Sequence, residues 1–242
     1  MQTVIRKNAG NPFTFPCGLS LLIIFISMTK HPEDKKPLTY LALGDSYTIG
    51  ESVPGIENYP SRTVALLESE AVHFSTPEII AQTGWTTTDL RTAIGKSQLA
   101  GKYDFVTLLI GVNNQYQNLE IADFAQDFET LLEKAISLAG NDTGHVVVLS
   151  IPDWSVTPYA TNHLPDRFGR NAASVSKQID EYNAACRLIS GKYHITFIDI
   201  TDGTRAAAKD PSLLTSDGLH PSGKEYALWA EKLASIIKKK FR

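Results

Sequence analysis

The sequence from residue 38 to residue 46 reads Leu38-Thr39-Tyr40-Leu41-Ala42-Leu43-Gly44-Asp45-Ser46. Its first six residues are mostly apolar and β-prone, which is typical of a strand that is buried on both faces of a sheet. The run ends in a serine, so a hydroxyl group follows directly on the predicted strand. Because ligands bind at the carboxyl ends of the strands in parallel sheets, this serine is a candidate functional residue.

Further apolar runs follow along the chain, and stretches of helical period separate them. The pattern predicts strands at residues 38–43, 78–81, 105–110, 145–151 and 194–200. It predicts helices at residues 60–70, 123–138, 172–189 and 222–238. Short apolar strands that alternate with helices indicate a parallel sheet covered on both faces. We therefore predict an α/β three-layer sandwich with a five-stranded parallel sheet of flavodoxin-like topology.

Such a sheet gathers the loops that follow its strands at one edge. These loops are predicted at residues 44–47, 84–87, 111–115 and 153–166. A second polar motif comes just before the last helix, where Asp217 and His220 stand three residues apart. A serine, an imidazole and a carboxylate are the parts of an activated nucleophile with its base and orienting acid.

These blocks resemble the GDSL-type, or SGNH, hydrolase superfamily, and the resemblance extends over residues 38–240. The residues that carry it stand in the family's order: Gly44-Asp45-Ser46, Gly84, Gly111-x-Asn113 and Asp217-x-x-His220-Pro221. The resemblance implies the SGNH hydrolase fold, with Ser46 as nucleophile, His220 as general base and Asp217 as the residue that orients the imidazole. It also implies an oxyanion hole formed by the backbone N–H groups of Ser46 and Gly84 and the side-chain amide of Asn113.

Two local features refine this interpretation. Residues 44–48 lack the last glycine of a GxSxG elbow, so the serine does not fit the α/β-hydrolase pattern. The family's third block usually runs Gly-x-Asn-Asp, whereas Asn114 occupies the last position here. An asparagine keeps the size and the acceptor oxygen of aspartate but lacks its charge.

The resemblance implies a serine esterase that hydrolyses carboxylic esters through an acyl-enzyme, without a metal or an organic cofactor. Within the family, the pattern is most similar to the lysophospholipase and esterase branch, which acts on lysophospholipids and on acyl or aryl esters. An alternative is a carbohydrate O-acetylesterase with the same catalytic residues in a more polar pocket. An alternative of another class is a non-catalytic binding domain on the same scaffold.

Four residues near these motifs are candidate substrate contacts: Asp45, Trp85, Trp154 and His163. Each also has an ordinary structural explanation. An aspartate at this position can cap the helix that follows the strand. The tryptophans can pack into the core or a loop, and the histidine can be a solvated loop residue.

Composition and charge argue against some classes of binding partner. A net charge of −3 without a basic stripe gives no electrostatic basis for nucleic-acid binding. The two cysteines, Cys17 and Cys186, form neither a disulfide framework nor a zinc motif. The partner that the resemblance implies is a small-molecule ester.

The N-terminus is interpreted separately from the domain. Residues 1–30 have the features of a signal or a membrane anchor, because basic residues precede an apolar segment at residues 13–28. We expect the hydrolase domain over residues 37–242, and an exported or membrane-tethered protein. Translation from Met28 would instead leave a cytoplasmic enzyme.

Overall fold

The computed structural model of this protein describes residues 36–241. The predicted signal or anchor at residues 1–30, with its apolar segment at 13–28, lies outside the described residues. Within residues 36–241, no helix combines the length and the apolar character needed to cross a membrane.

Five parallel strands form one sheet in the order β2-β1-β3-β4-β5. Their bounds are β1 Tyr40–Asp45, β2 Glu78–Gln82, β3 Phe105–Leu109, β4 Val146–Leu149 and β5 Thr196–Ile198. Every residue of β1, β3 and β4 is buried. This explains why these strands are continuous apolar runs in the sequence instead of alternating ones. The prediction of a five-stranded parallel sheet in an α/β fold is confirmed.

The helices of the described range connect these strands and complete the layers. Their bounds are α1 Ser46–Ile49, α2 Tyr59–Glu68, α3 Thr87–Lys96, α4 Val112–Tyr116, α5 Ile121–Leu138, α6 Pro158–His163, α7 Ala172–Lys192, α8 Thr201–Ala206 and α9 Gly223–Phe241. Helix α2 packs against α9, whereas α5 packs against α3 and α7. The chain moves one way from β1 to β2 and the other way from β2 onward, so right-handed crossovers place α2 on one face of the sheet and α3, α5 and α7 on the other.

The change of direction places a crevice between the carboxyl ends of β1 and β3, which is where such sheets bind ligands. Gly44 and Asp45 belong to β1 and not to the predicted loop, since they pair with Ala81 and Gln82 of β2. Ser46 is therefore the first residue after β1, at the start of α1. The fold presents this hydroxyl at the crevice.

Several elements differ from the sequence prediction. Helices α1, α4, α6 and α8 are four to six residues long, too short to produce a helical period. Helix α3 was also not predicted, although Thr86 and Asp89 form a capping box that marks its start. The predicted loop at residues 153–166 contains a short 3-10 helix, Trp154–Val156, and α6.

Gly44 allows the close approach of β1 to its neighbours. A Cβ at this position would lie 2.1 Å from Thr48 Oγ1 and 2.4 Å from the backbone oxygen of Leu109. Because that oxygen belongs to β3, it cannot move aside without distorting the sheet. We expect Gly44→Ala to lower the free energy of unfolding by about 1–3 kcal/mol, as overpacked core substitutions do. Urea unfolding measures this effect.

Gly95→Ala is the matched control. Gly95 lies in α3, and a Cβ there would have no neighbour within 4 Å. Alanine favours helix by up to about 1 kcal/mol, so this variant is expected to be as stable as the parent or slightly more stable. Equal stability of the two variants would contradict the packing argument.

Candidate active site

Ser46, His220 and Asp217 form a continuous chain of hydrogen bonds. The Nε2 atom of His220 lies 3.0 Å from Ser46 Oγ. On the other side of the ring, His220 Nδ1 lies 2.8 Å from Asp217 Oδ2. With the Nδ1 proton donated to the carboxylate, Nε2 is free to accept the serine proton. This is the arrangement that a nucleophile, a base and an orienting acid require.

The Asp217 carboxylate accepts hydrogen bonds at both oxygens. Its Oδ1 atom accepts from Thr215 Oγ1 and from the backbone N–H groups of Leu219 and His220. Its Oδ2 atom accepts from Ser52 Oγ and His220 Nδ1. Burial acts to raise the pKa of this carboxyl, but these hydrogen bonds outweigh it and hold the pKa well below its ordinary value. The group is thus ionised at neutral pH, as an orienting acid must be.

Three groups proposed for the oxyanion hole face the same cleft, namely Ser46, Gly84 and Asn113. Gly84 has φ +83°, a conformation that favours glycine, whereas a Cβ there would have no neighbour within 4 Å. The backbone conformation, and not lack of space within the protein, therefore explains this glycine. Asn113 Nδ2 donates to the carbonyl oxygen of Trp85 at 3.0 Å, which fixes the orientation of the amide. An amide has a second N–H, and this one is available to a ligand.

Asn114 stands where the family usually has an aspartate, and its side chain makes structural hydrogen bonds. It is buried, and its Oδ1 accepts from the backbone N–H of Thr87 at 3.0 Å. Its Nδ2 donates to Thr87 Oγ1 at 2.8 Å. Because Thr87 is the first residue of α3, Asn114 fastens α4 to the helix that follows Gly84. The asparagine keeps the acceptor role and adds a donor.

The cleft has a volume of about 140 Å³ and predominantly apolar walls. The walls include Tyr47, Val112, Tyr116, Trp154, Tyr159 and Leu219. Tyr116 on α4 and Tyr159 on α6 join their hydroxyl groups at 3.0 Å, so the two walls meet. The Trp154 ring packs edge-on against both tyrosines. Trp154 is thus the predicted substrate contact that the structure brings to the cleft.

The other three candidate contacts do not line the cleft. The prediction for Asp45 is corrected, because its side chain is fully buried and its Oδ1 caps α1 by accepting from the Tyr47 N–H. Burial raises the pKa of Asp45 to about 7, although hydrogen bonds from the backbone N–H groups of Tyr47 and of Asp45 itself act to lower it. Trp85 packs against the core. His163 stacks on Tyr159 at 3.7 Å, outside the lining of the cleft.

Buried polar contacts support the aromatic residues that line the cleft. Trp154 Nε1 donates to Gln115 Oε1 at 2.8 Å. Arg170 donates to the backbone oxygens of Gln115 and Tyr116 and forms an ion pair with Asp166. A cation at the last carbonyl groups of a helix is favoured by the helix dipole. Arg170 thereby attaches the segment before α7 to the end of α4.

Sequence reasoning missed several residues of the site, among them Tyr116 and Ser52. Tyr116 follows Asn113 by three residues, which places it one helical turn further along, so a helix predicted at this position would have pointed to it. Ser52 has φ +65°, a left-handed conformation that costs a non-glycine residue about 1 kcal/mol or more. Nothing in the sequence marks this conformation.

The comparisons with known proteins agree with this architecture. Residues 42–228 match the model of a family described as GDSL-like Lipase/Acylhydrolase. A search of curated protein sequences found no match.

Solved structures share the fold at low sequence identity. The lipase/acylhydrolase from Enterococcus faecalis superposes with a TM-score of 0.65 at 18% identity, over 85% of this chain and 97% of that one. TesA gives a TM-score of 0.63 at 15% identity, over 83% and 98%. Axe2, an acetylxylan esterase from Geobacillus stearothermophilus, gives 0.60 at 17% identity, over 85% and 95%. At these identities the likeness is one of fold.

Two substitutions at Asn114 test its role. Asn114→Leu leaves the buried Thr87 N–H without an acceptor, so we expect a loss of about 1–3 kcal/mol in the free energy of unfolding. Asn114→Asp keeps the acceptor, and its charge is favoured at the start of α3. We expect this variant to stay within about 1 kcal/mol of the parent. Chemical denaturation of both proteins distinguishes them, and a leucine variant as stable as the aspartate variant would contradict the role.

Proposed function

Because this chain belongs to the GDSL-like lipase/acylhydrolase family, we propose that it is a serine esterase that hydrolyses carboxylic esters through an acyl-enzyme on Ser46. The observation that carries the proposal is the 3.0 Å contact between His220 Nε2 and Ser46 Oγ. This contact supports direct transfer of the serine proton to the imidazole.

In the first half of the reaction, Ser46 Oγ attacks the ester carbonyl and its proton passes to His220 Nε2. The imidazolium formed is stabilised by Asp217, whose Oδ2 holds Nδ1–H at 2.8 Å. The tetrahedral oxyanion accepts hydrogen bonds from the N–H groups of Ser46 and Gly84 and from Asn113. The N–H of Ser46 suits this role because the first turn of a helix has no internal acceptor for it. Preorganised donors of this kind stabilise the oxyanion more than the ground-state carbonyl.

The imidazolium then protonates the departing alcohol, and the carbon–oxygen bond to that alcohol breaks. Ser46 is left as an ester of the acyl group. In the second half, water attacks this ester while His220 Nε2 takes up its proton. Collapse of the second tetrahedral intermediate returns the proton to Ser46 Oγ and releases the carboxylic acid.

The cleft favours an apolar acyl group of small size. Its walls carry four aromatic side chains, those of Tyr47, Tyr116, Trp154 and Tyr159. A protein cavity of about 150 Å³ holds a benzene molecule, so about 140 Å³ suits a short acyl chain or an aryl group. We therefore propose short-chain acyl and aryl esters as the substrate class.

Ser46→Ala is expected to remove nearly all turnover of p-nitrophenyl butyrate, because the nucleophile is lost. Thermal unfolding followed by circular dichroism should show an intact fold. The matched control is Ser69→Ala, since Ser69 is an exposed residue at the end of α2 and outside the cleft. Equal activity of the Ser46 variant and the control would rule out the acyl-enzyme.

A panel of esters tests the substrate class. We expect kcat/KM for p-nitrophenyl esters to peak between butyryl and hexanoyl and to fall for dodecanoyl, because the longest chain extends beyond the cleft. The panel also includes a lysophospholipid, an acyl-CoA and an acetylated xylose, each measured against Ser46→Ala as blank. A preference for dodecanoyl or the lysophospholipid would contradict the size argument, and a preference for the acetylated sugar would favour carbohydrate O-acetylesterase activity.

A further inference from the structure

The turn at residues 50–52, which follows α1, contacts three parts of the proposed catalytic machinery. The backbone N–H groups of Gly50 and Glu51 both donate to the carbonyl oxygen of Ser46, at 3.1 and 3.0 Å. The Glu51 carboxylate accepts from the Thr83 hydroxyl. Thr83 immediately precedes Gly84 and lines the cleft. The turn is thus attached both to the nucleophile and to the loop after β2 that carries Gly84.

The third contact is made by Ser52, whose Oγ donates to Asp217 Oδ2 at 2.7 Å. This is the same oxygen that accepts His220 Nδ1–H. Two donors on one carboxylate oxygen share its electron density, so each weakens the other's bond. Ser52 therefore restrains the carboxylate in place and also limits how strongly the carboxylate can stabilise a protonated imidazole.

The backbone of Ser52 supports a specific role for this contact. Its φ of +65° is a conformation that glycine or asparagine adopts more readily than serine. Strained residues of this kind persist where the surrounding structure fixes them, and they cluster at functional sites. A serine here keeps a short hydroxyl donor that glycine would lack.

We propose that Ser52 is a positioning residue. Its hydroxyl fixes the orientation of the Asp217 carboxylate relative to Ser46, and it weakens the hydrogen bond between this carboxylate and His220 Nδ1–H. This inference rests on the proposed function of the three residues it connects. Because the contact lies at the protein surface, water replaces part of the lost hydrogen bond in a variant. The expected effects are accordingly moderate.

Other ionisable groups around the pair do not confuse the test. Within the described residues they include Asp45 on β1, Tyr47 on α1, Glu51 in the turn, Asp153 after β4, Tyr159 on α6, and Glu225 and Tyr226 on α9. Burial raises the pKa of Tyr47 and of Tyr226, so both remain protonated where the acid limb is measured. Asp45, Glu51, Asp153, Tyr159 and Glu225 are the same residues in every variant, so differences between the variants report on Ser52.

The test compares Ser52→Ala, Ser52→Gly and Ser52→Asn in the full-length protein. Alanine and glycine both remove the donor that holds the carboxylate in place, so kcat should fall about three- to tenfold with KM unchanged, the upper value corresponding to one ordinary hydrogen bond. The acid limb of kcat/KM should move to higher pH by up to about one unit, because the carboxylate then holds the imidazolium more strongly. Asparagine tolerates the left-handed conformation and carries a donor, so it should restore both values.

Ala71→Gly is the control for backbone strain. Ala71 also has a left-handed φ, +59°, and lies in the turn between α2 and β2, remote from the cleft. Its replacement should change stability without moving the acid limb. If Ser52→Ala and Ser52→Gly changed only the stability of the protein and left the acid limb where it is in the parent, Ser52 would be a purely structural residue. That outcome would overturn the inference.

A second measurement does not depend on turnover. The proton on His220 Nδ1 is observable by NMR, and it should move downfield in Ser52→Ala because its bond to Asp217 shortens. An unchanged resonance would overturn the inference even in a protein without esterase activity. Conversely, loss of activity in Ser46→Ala together with an unmoved resonance in Ser52→Ala would support the proposed function and reject the role of Ser52.

Discussion

The contact between His220 Nε2 and Ser46 Oγ joins two residues that stand 174 positions apart in the chain. It exists because a parallel sheet brings the ends of all its strands to one edge, whatever their order in sequence. Ser46 is delivered by β1, the second strand of the sheet, and His220 by the loop before α9, which packs against α2. The geometry of this one hydrogen bond therefore requires the whole domain to be folded.

The motifs predicted the centre of the site because they are short and local. Ser46 directly follows a buried strand, and Asp217 reaches His220 within one loop, so both motifs are readable from a few neighbouring residues. The sheet was predictable for a similar reason, since fully buried strands are recognisable as apolar runs. Helix bounds differed by up to three residues at α7 and α9, where the sequence carries no sharp stop signal.

The surroundings of the site could not be predicted in the same way. Helices α4 and α6 are too short to show a period, so the meeting of Tyr116 with Tyr159 was not visible in the sequence. The contact of Ser52 depends on a left-handed backbone at a residue type that rarely adopts it. The error at Asp45 is of another kind. This residue beside the nucleophile was predicted to contact the substrate, but its side chain caps helix α1. Tertiary packing decides such cases, and this packing cannot be deduced from a single sequence.

The segment between β4 and α7 carries Trp154 and Tyr159 but none of the three residues of the Ser46–His220–Asp217 relay. Several contacts attach it to the rest of the domain. Among them are the Tyr159 N–H to the Gly218 oxygen, Trp154 Nε1 to Gln115 Oε1, and Arg170 to the end of α4. Two of the four aromatic side chains of the cleft thus come from a stretch of chain that contributes no residue to the proposed relay. Substitutions in this stretch can therefore change the shape of the cleft without altering the proposed relay, provided that the contacts to the rest of the domain are kept.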